Sequence, residues 1–409
     1  MKLRLSLLAA FTAVGTFFSS AKAAPADTLA LTPPMGWNSW NLFEDRVSEE
    51  LIKGVADEMA ANGMRDAGYQ YIIIDDFWVG GRDSRNQLFP DPKRFPNGIK
   101  HLADYVHSKG LKLGIYSDAA QLTCGGVTGS LNFEELDAQT FANWGIDYLK
   151  YDYCGAPDDV TTAFTRYKKM GDALKKTGRP IVYAICEWGQ RQPWLWAKAA
   201  GGHLWRTTFD SRDVWQSNDS WFMGIVEILD LQEGIARYGG PGGWNDPDLL
   251  MVGLYGKGKS SSAGPNGQKY KGCTDTEYRT SFALWSIMSA PLIVNLDVAN
   301  MNKATKDILL NKELIAINQD KLGKTGESII KKDGLQVFRK ELSNGRVAIL
   351  VFNRNEKATD FSYSITKDLD LYAPYSIKDV FAGREFKAKE LKGKLDAHDC
   401  KVYVFSKAK

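Results

Sequence analysis

Short apolar runs that end in a carboxylate recur along the first three quarters of the chain. The clearest is 146–154, in which Lys150, Asp152 and Cys154 stand at alternate positions. Side chains two residues apart on a β-strand point to the same face, so these three should project together. Six further runs share this construction: 71–76, 111–118, 181–187, 203–210, 244–248 and 291–297. Seven strands tipped with acids predict one shared pocket.

Between these runs, apolar residues recur at spacings of three and four, which predicts amphipathic helices. The predicted helices are 49–62, 99–108, 134–144, 161–176, 220–238 and 276–288, with a last helical stretch near 306–318. Strands that alternate with helices favour a parallel α/β sheet. With 35–38 as the first strand, eight such units fit a (β/α)8 TIM barrel, which typically takes about 250 residues. The rival is a doubly wound sheet, which is disfavoured because no G-x-G-x-x-G motif follows a strand.

The pattern changes after the last helical stretch. Residues 335–342 and 346–353 alternate apolar and polar side chains around Ser343-Asn344-Gly345. Asn and Gly tolerate positive φ, so this segment predicts a tight hairpin. Shorter runs of the same kind follow at 372–381 and 400–405. The end of the chain should therefore be a small antiparallel β domain.

Length and composition agree with two folded domains. The chain has 409 residues, of which 44% are hydrophobic, enough to bury a large core. We place the (β/α)8 barrel at 24–322 and an antiparallel β-sandwich at 323–409. The Gly-, Ser- and Lys-rich segment 257–272 should be the longest loop. With 52 basic and 49 acidic residues, the net charge is +3, so no nucleic-acid partner is expected.

The N-terminus has the character of a secretory signal peptide. Lys2 and Arg4 precede the apolar stretch 5–18, and the small residues that follow end in Ala21-Lys22-Ala23. This predicts cleavage after residue 23. The stretch is too short for a comfortable membrane span, and no later segment approaches the roughly 20 apolar residues that a spanning helix needs. We therefore expect export to the periplasm or the medium, with no membrane span.

Cysteine usage allows disulfides without fixing them. The chain contains five cysteines, namely Cys124, Cys154, Cys186, Cys273 and Cys400. An odd number leaves at least one cysteine outside an intramolecular pair. An oxidising compartment permits disulfides, but a chain of this size does not depend on them. We expect one disulfide.

The carboxylates at the strand tips should converge, because the carboxyl ends of barrel strands build the active site. These residues are Asp75, Asp76, Asp118, Asp152, Glu187, Asp210, Asp246 and Asp248. Such a set suits either metal ions or ligands rich in hydroxyl groups. The four histidines form no ligand pattern, so no metal is expected; a magnesium site made of carboxylates is the alternative. No other cofactor is expected.

Aromatic side chains favour a sugar over a metal. The tryptophans at or beside strand ends are Trp37, Trp40, Trp78, Trp188, Trp205 and Trp244. A sugar hydroxyl donates to a carboxylate, while the apolar face of the sugar ring packs on an aromatic ring. The alternative for each tryptophan is ordinary core packing.

Seven motifs stand in order along the barrel. They are Met35-Gly36-Trp37-Asn38-Ser39-Trp40, Ile74-Asp75-Asp76, Gly114-Ile115-Tyr116-Ser117-Asp118, Asp147-Tyr148-Leu149-Lys150-Tyr151-Asp152, Cys186-Glu187-Trp188-Gly189, Trp205-Arg206 with Asp210, and Gly242-Gly243-Trp244-Asn245-Asp246-Pro247-Asp248. Together they resemble the α-galactosidases, or melibiases, of glycoside hydrolase family 27. The resemblance implies a retaining exo-α-galactosidase that removes terminal α-D-galactosyl residues through a galactosyl-enzyme intermediate. Its substrate would be an oligosaccharide or glycoconjugate whose leaving group the sequence does not identify.

The resemblance also implies the catalytic pair, with Asp152 as nucleophile and Asp210 as acid/base. Retention of configuration needs two carboxyl groups about 5 Å apart. Lys150 lies two residues before Asp152 and should keep that carboxylate ionised. Crowding among the carboxylates should raise the pKa of Asp210.

Further contacts with galactose follow from the same resemblance. Asp75 and Asp76 would accept hydrogen bonds from the 4- and 6-hydroxyls, and Lys150 would donate on the 3- and 4-hydroxyl side. Tyr116 would support the nucleophile. Trp40 would carry the face of the sugar ring.

At the 2-hydroxyl, the resemblance implies four residues. Arg206 and Asp248 would hold the hydroxyl, and Cys186 would lie near it as a free thiol. Glu187 would crowd an acetamido group, which favours galactose over its N-acetyl derivative. The alternatives are a β-L-arabinopyranosidase and an α-N-acetylgalactosaminidase of the same family. Asp118 and Asp246 should be structural, as residues that cap a loop or orient a neighbour.

The cysteines partly follow the family pattern. Many members have a disulfide with one cysteine at the position of Phe77, and both halves of that bridge are absent here. Cys124 and Cys154 match a second bridge, which would restrain the loop beside Asp152. Cys273 and Cys400 have no assigned partner.

Overall fold

The computed structural model describes residues 28–219 and 221–407. The predicted signal peptide, residues 1–23, lies outside the described residues. The largest element is a parallel sheet whose strands, β1 to β8 in chain order, are Met35–Asn38, Tyr71–Ile73, Lys112–Asp118, Tyr148–Asp152, Val182–Ile185, Leu204–Arg206, Trp244–Asp246 and Leu292–Val294. From β1 to β7, each strand pairs with the next strand in sequence, and β8 pairs with β1. A parallel bridge between Leu250 and Val294 joins the chain after β7 to β8, so the predicted barrel is confirmed.

Helices connect the strands on the outside of the barrel. The longer ones are Glu49–Ala61, Gly98–Ser108, Glu134–Trp144, Val160–Lys176, Ile225–Leu231, Asp275–Ile287, Lys303–Leu309 and Lys312–Asn318. Their starts carry ordinary caps: Ser48 accepts from the N–H of Leu51, and Thr274 forms a capping box with Glu277, as these residue types favour. Across 28–219 and 221–407, the helices lack the combination of length and apolar character that crossing a membrane requires.

Two predicted helices are shorter than expected. The prediction of 220–238 is wrong as one helix, because the structure has Ile225–Leu231 and then a 3-10 turn at Ala236–Tyr238. Gly224 caps the helix, and Gly234 adopts a φ of 80° between the two pieces, a conformation that a helix cannot contain. The stretch near 306–318 divides at Asn311, which caps the second of two helices.

The end of the chain forms two antiparallel sheets. A six-stranded sheet contains Glu327–Lys332, Leu335–Glu341, Val347–Asn353, Cys400–Lys407, Tyr375–Asp379 and Arg384–Phe386 in spatial order, and Thr359–Ser364 pairs with Glu390–Leu395 in a second sheet. Asn344 has a φ of 61° in the turn at Ser343–Gly345, as predicted for the hairpin. Val337 and Ile349 of one sheet share a core with Phe361 and Leu391 of the other. The antiparallel C-terminal domain is confirmed.

The two domains contact each other beside the loop that follows β6. Trp215 of that loop stacks on His398, with ring centroids 4.5 Å apart and planes 18° apart. It also meets the ring of Phe352 edge-on at 5.6 Å. Farther along the seam, Arg354 donates to both carboxylate oxygens of Asp230 at 2.9 and 2.7 Å. Aromatic packing and a bidentate ion pair thus hold the β domain against the barrel.

Candidate active site

A cavity of about 320 Å³ opens at the carboxyl ends of the barrel strands. Strand register brings the tips level: Asp118 pairs with Asp152, and Arg206 pairs with Asp246. The cavity is lined by Trp40, Asn41, Asp75, Asp76, Tyr116, Cys124, Lys150, Asp152, Cys154, Trp188, Arg206, Phe209, Asp210, Arg212, Trp221, Phe222, Asp248 and Leu249. A larger cavity of about 520 Å³ lies at the domain junction. The smaller one is the candidate site, because it gathers five aspartates around buried cations.

Asp152 lies on the floor of this pocket, at the end of β4. It is 4% exposed, and its Oδ2 accepts a hydrogen bond of 3.0 Å from the hydroxyl of Tyr116. Burial raises the pKa of Asp152 to about 6, although the cation of Lys150 opposes that rise. Tyr116 is itself fully packed, so the carboxylate has a fixed orientation.

The surroundings of Asp210 shift its pKa in the opposite direction to that of Asp152. Its side chain is 43% exposed, and Arg206 donates to it at 3.1 Å. Burial opposes its ionisation, but the cations of Arg206 and Arg212 outweigh burial and lower the pKa of Asp210. Arg206 also binds Asp248 at 2.9 Å.

The expected pKa values of the pair are therefore wrong for the free protein. The ammonium of Lys150 is bound by Asp75 at 2.8 Å, and its attraction to Asp152 does not overcome the burial of that carboxylate. Asp210 is flanked by two arginines, and Arg212 lies outside every motif used in the sequence analysis. Because the two carboxyls interact, their protons belong to the pair, and a change at one displaces the other.

This asymmetry predicts opposite changes in thermal stability for two matched substitutions. The pKa of Asp152 is about 6 in the folded protein, against about 3.9 in an unfolded chain. This difference lowers the free energy of unfolding by on the order of 2–3 kcal/mol above pH 6 and has no effect below about pH 4. Asp152→Asn should therefore raise Tm at pH 7.5, with the gain vanishing as pH falls to 4. Calorimetry across this range measures both effects.

Asp210→Asn is the control, since it makes the same chemical change in the same pocket. A lowered pKa contributes stability above its unfolded value and loses it as pH falls. Asp210→Asn should therefore lower Tm at pH 7.5, by a smaller amount because the group is half exposed and screened by water. Equal Tm shifts of the same sign in both variants would contradict the assigned asymmetry.

The inner end of the pocket is a network around Asp75 and Asp76. Asp75 accepts hydrogen bonds from Lys150 at 2.8 Å and from the amide of Asn38 at 2.7 Å. Asp76 accepts from the backbone N–H of Gly125 at 2.8 Å, and burial raises its pKa. The side chains predicted to bind the 3-, 4- and 6-hydroxyls, namely Asp75, Asp76 and Lys150, thus line the pocket together and are preorganised.

Trp40 forms one wall of the pocket. Its ring lies nearly parallel to that of Phe77, with centroids 5.9 Å apart and planes 16° apart. Phe77 occupies the position at which the sequence departs from the family pattern of cysteines. An aromatic stack therefore lies at the position where the resemblance would place a disulfide cysteine.

Cys124 and Cys154 form a disulfide, and the predicted pairing is confirmed. The neighbouring Asp118 accepts from the backbone N–H of Cys154 at 3.0 Å, and burial raises the pKa of Asp118 to about 9. Asp118 does not line the pocket, in agreement with a structural role. Among the described residues, Asp118, Asp152 and the two cysteines are close enough to group around an ion, but sulfurs joined in a disulfide are not thiolate ligands.

Two predicted contact residues do not line the pocket. Glu187 is fully buried, and its carboxylate pairs with the guanidinium of Arg191 and accepts from the Arg191 N–H at 3.1 Å. The crowding of an acetamido group by Glu187 therefore stays a prediction, for a side chain that does not line the pocket. Cys186 is a buried free thiol, as predicted, and it lines a cavity of about 20 Å³ beneath the pocket, where its sulfur contacts Arg206 at 3.5 Å.

Several lining residues were missed by the sequence analysis. Trp188 was named among six tryptophans near strand ends and within one motif, but no contact was predicted for it. Of those six tryptophans, Trp40 and Trp188 line the pocket, and the others are buried at 1% exposure or less. The remaining missed residues are Asn41, Phe209, Arg212, Trp221, Phe222 and Leu249. Most belong to the loop after β6, part of which was predicted to be helical.

A parallel barrel with acids, cations and aromatic walls at this mouth is typical of enzymes that cleave glycosides. Residues 32–320 match the family model for alpha galactosidase A, and residues 332–405 match that for the alpha galactosidase C-terminal beta sandwich domain. Alpha-galactosidase A of Cellvibrio japonicus is 46% identical over 347 residues, which cover 84% of this chain and 81% of the relative. The chain therefore belongs to the α-galactosidase family of glycoside hydrolases, family 27.

Solved structures agree with this assignment. Alpha-galactosidase I of Mortierella vinacea superposes with a TM-score of 0.86 at 34% identity, over 94% of this chain and 99% of the other. An α-galactosidase of Saccharomyces cerevisiae, solved with raffinose, superposes with a TM-score of 0.83 at 29% identity, over 94% of this chain and all of the other. Barrel and β domain are thus shared along nearly the whole chain.

Proposed function

We propose that this protein is a retaining exo-α-galactosidase, with Asp152 as nucleophile and Asp210 as acid/base. The observation that carries the proposal is that two aspartates in one pocket have opposite surroundings. Asp152 is buried and fixed by Tyr116, whereas Asp210 is half exposed and paired with Arg206. The names of the relatives support the choice of α-galactosides as substrates.

In the first step, an oxygen of Asp152 attacks C1 of the galactosyl unit while the bond from C1 to the leaving oxygen breaks. Asp210 gives its proton to that oxygen. The productive state therefore needs the proton of the pair on Asp210. A bound sugar would cover the exposed side of Asp210 and raise its pKa, and the Lys150 cation would favour the anion of Asp152. Substrate binding itself would thus move the proton to the acid.

In the second step, a water molecule attacks C1 of the ester on Asp152. Asp210, now ionised, takes a proton from that water, and the bond from C1 to Asp152 breaks. Two inversions give α-galactose as the first product. Asp210 ends the cycle protonated and Asp152 ends it as a carboxylate, so no cofactor is consumed.

The inner network suits the hydroxyls of a terminal galactose. The carboxylates of Asp75 and Asp76 would accept from the 4- and 6-hydroxyls, and Lys150 would donate beside them. Asp248 would accept from the 2-hydroxyl; it is held by Arg206 at 2.9 Å and by the N–H of Ser211 at 2.7 Å. Trp40 would cover the face of the ring. A pocket that binds one terminal sugar in this way supports exo action.

Export is the remaining part of the proposal. The basic and apolar segments of residues 1–23 support a secretory signal. A disulfide close to the nucleophile agrees with an oxidising compartment.

The test is hydrolysis of three nitrophenyl glycosides: α-D-galactoside, β-L-arabinopyranoside and N-acetyl-α-D-galactosaminide. We expect the highest kcat/KM for the galactoside, because Asp76 and its neighbours bind the hydroxymethyl group that the arabinoside lacks. Proton NMR during the reaction should show α-galactose before the β anomer. A higher kcat/KM for either other glycoside would contradict the substrate, and β-galactose as first product would contradict retention.

A further inference from the structure

One tryptophan at the mouth of the pocket is mostly exposed to solvent. All twelve tryptophans lie among the described residues, and Trp221 alone is mostly exposed, at 62%. It lines the same cavity as Asp152 and Asp210. A large exposed aromatic surface at the rim of a binding pocket is typical of a ligand contact.

The Trp221 ring is part of an aromatic pair, and its backbone is held by hydrogen bonds. It packs against Phe209, with ring centroids 4.3 Å apart and planes inclined by 39°. Phe209 directly precedes Asp210 in the chain. The backbone at this point is held as well, because Oδ1 of Asp219 accepts hydrogen bonds from the backbone N–H groups of Trp221 and Phe222 at 2.7 and 3.0 Å. The Phe209–Trp221 pair is therefore a preorganised aromatic surface beside the acid/base.

The position of Asp210 decides which part of a substrate would meet this surface. If Asp210 protonates the leaving oxygen, as the proposed function requires, the leaving group must lie on the Asp210 side of the pocket. The galactosyl unit would occupy the opposite end, near Asp75 and Lys150. The Phe209–Trp221 pair then lies beside the first unit of the leaving group.

We propose that Phe209 and Trp221 form a platform for a pyranose leaving group. The chemistry beside the pair favours a sugar over a hydrocarbon chain. The guanidinium of Arg212 lies over the ring of Phe222 at 5.2 Å and also lines the pocket. An aromatic face next to a multivalent donor matches a ring with apolar C–H faces and hydroxyl edges. This inference rests on the proposed function and assigns the preferred leaving group to the Trp221 side.

Two substrates with the same galactosyl unit distinguish binding of the leaving group by Trp221 from an effect on the chemical step. An α-galactosyl-glucose disaccharide needs the platform, and α-galactosyl fluoride does not, because fluoride has no ring. Trp221→Ala should lower kcat/KM for the disaccharide about tenfold and change that for the fluoride by less than about twofold, as expected for loss of one stacking contact. Trp221→Tyr should keep most of the disaccharide activity.

Tyr372→Ala is the matched control, since Tyr372 is an exposed aromatic, at 76%, outside the pocket lining; both substrates should keep their wild-type rates. Equal losses on the two substrates in Trp221→Ala would overturn the inference, because Trp221 would then support the site as a whole. No loss on either would overturn it too. Failure of the wild-type protein to cleave the fluoride would instead refute the proposed function, so the two failures are distinguishable.

Discussion

Asp152→Ala should lower kcat for an α-galactoside by about 10⁴-fold or more, the usual order for loss of a covalent nucleophile. The side chain is buried and fixed by Tyr116, and in the proposed mechanism it is the group that attacks C1. The loss should be in kcat, because the galactose-binding network around Asp75 is untouched. Single-turnover kinetics with a nitrophenyl α-galactoside measure it directly.

Asp152→Gly should form a new product that can be detected, in addition to losing activity. The substitution leaves space where the carboxylate was, so azide should attack C1 from that side, while Asp210 protonates the leaving oxygen, and give β-galactosyl azide. Asp118→Ala is the control, since it removes the adjacent buried acid but keeps the attacking one; it should give no azide product. Substantial residual activity in Asp152→Ala, or the α-linked azide from Asp152→Gly, would show that the nucleophile lies elsewhere.

Asp210→Ala should give a loss that depends on the leaving group. General acid catalysis contributes about 10² to 10⁴ in rate, so a disaccharide should lose on the order of 10³-fold or more. A dinitrophenyl galactoside departs without a proton and should lose far less in its first step. Its galactosyl-enzyme should then accumulate, because the base for the second step is missing. Burst kinetics with this substrate measure the accumulation.

Added azide distinguishes this variant from the previous one. Azide needs no base, so it should release the intermediate from the face opposite to Asp152 and give α-galactosyl azide. Asp210→Asn should behave similarly, which separates the loss of the acid from the loss of side-chain volume. A uniform loss across leaving groups would mean that Asp210 binds substrate without transferring the proton.

The barrel was predictable because each strand carries its own signal. The predicted first strand, 35–38, and the helix 134–144 have the bounds seen in the structure. Strands such as Tyr148–Asp152 are short apolar runs with an acid at the end, and their length and spacing suffice to count them. The strands Thr359–Ser364 and Glu390–Leu395 were missed, since most of their side chains remain partly exposed and leave little alternation to read.

The residues that form the site were more predictable than their ion pairs and pKa shifts. Seven of the nine predicted substrate contacts line the pocket together with Asp152 and Asp210. The failures arose from distant partners. Arg191 pairs with the carboxylate of Glu187, which does not line the pocket, and Arg212 helps to reverse the expected pKa order of the catalytic pair. Strand periodicity gives the face on which a residue lies, but not the charges that other loops bring to it.

Trp215 lies five residues after Asp210 and rests on His398 and Phe352 of the β domain. The loop that holds the proposed acid/base is thus partly built on the second domain. Deleting that domain would leave an indole without its packing partners. A chimera would have to carry Trp215 and its two partners as a set. Exchanging the β domain alone should therefore disturb the loop that holds Asp210.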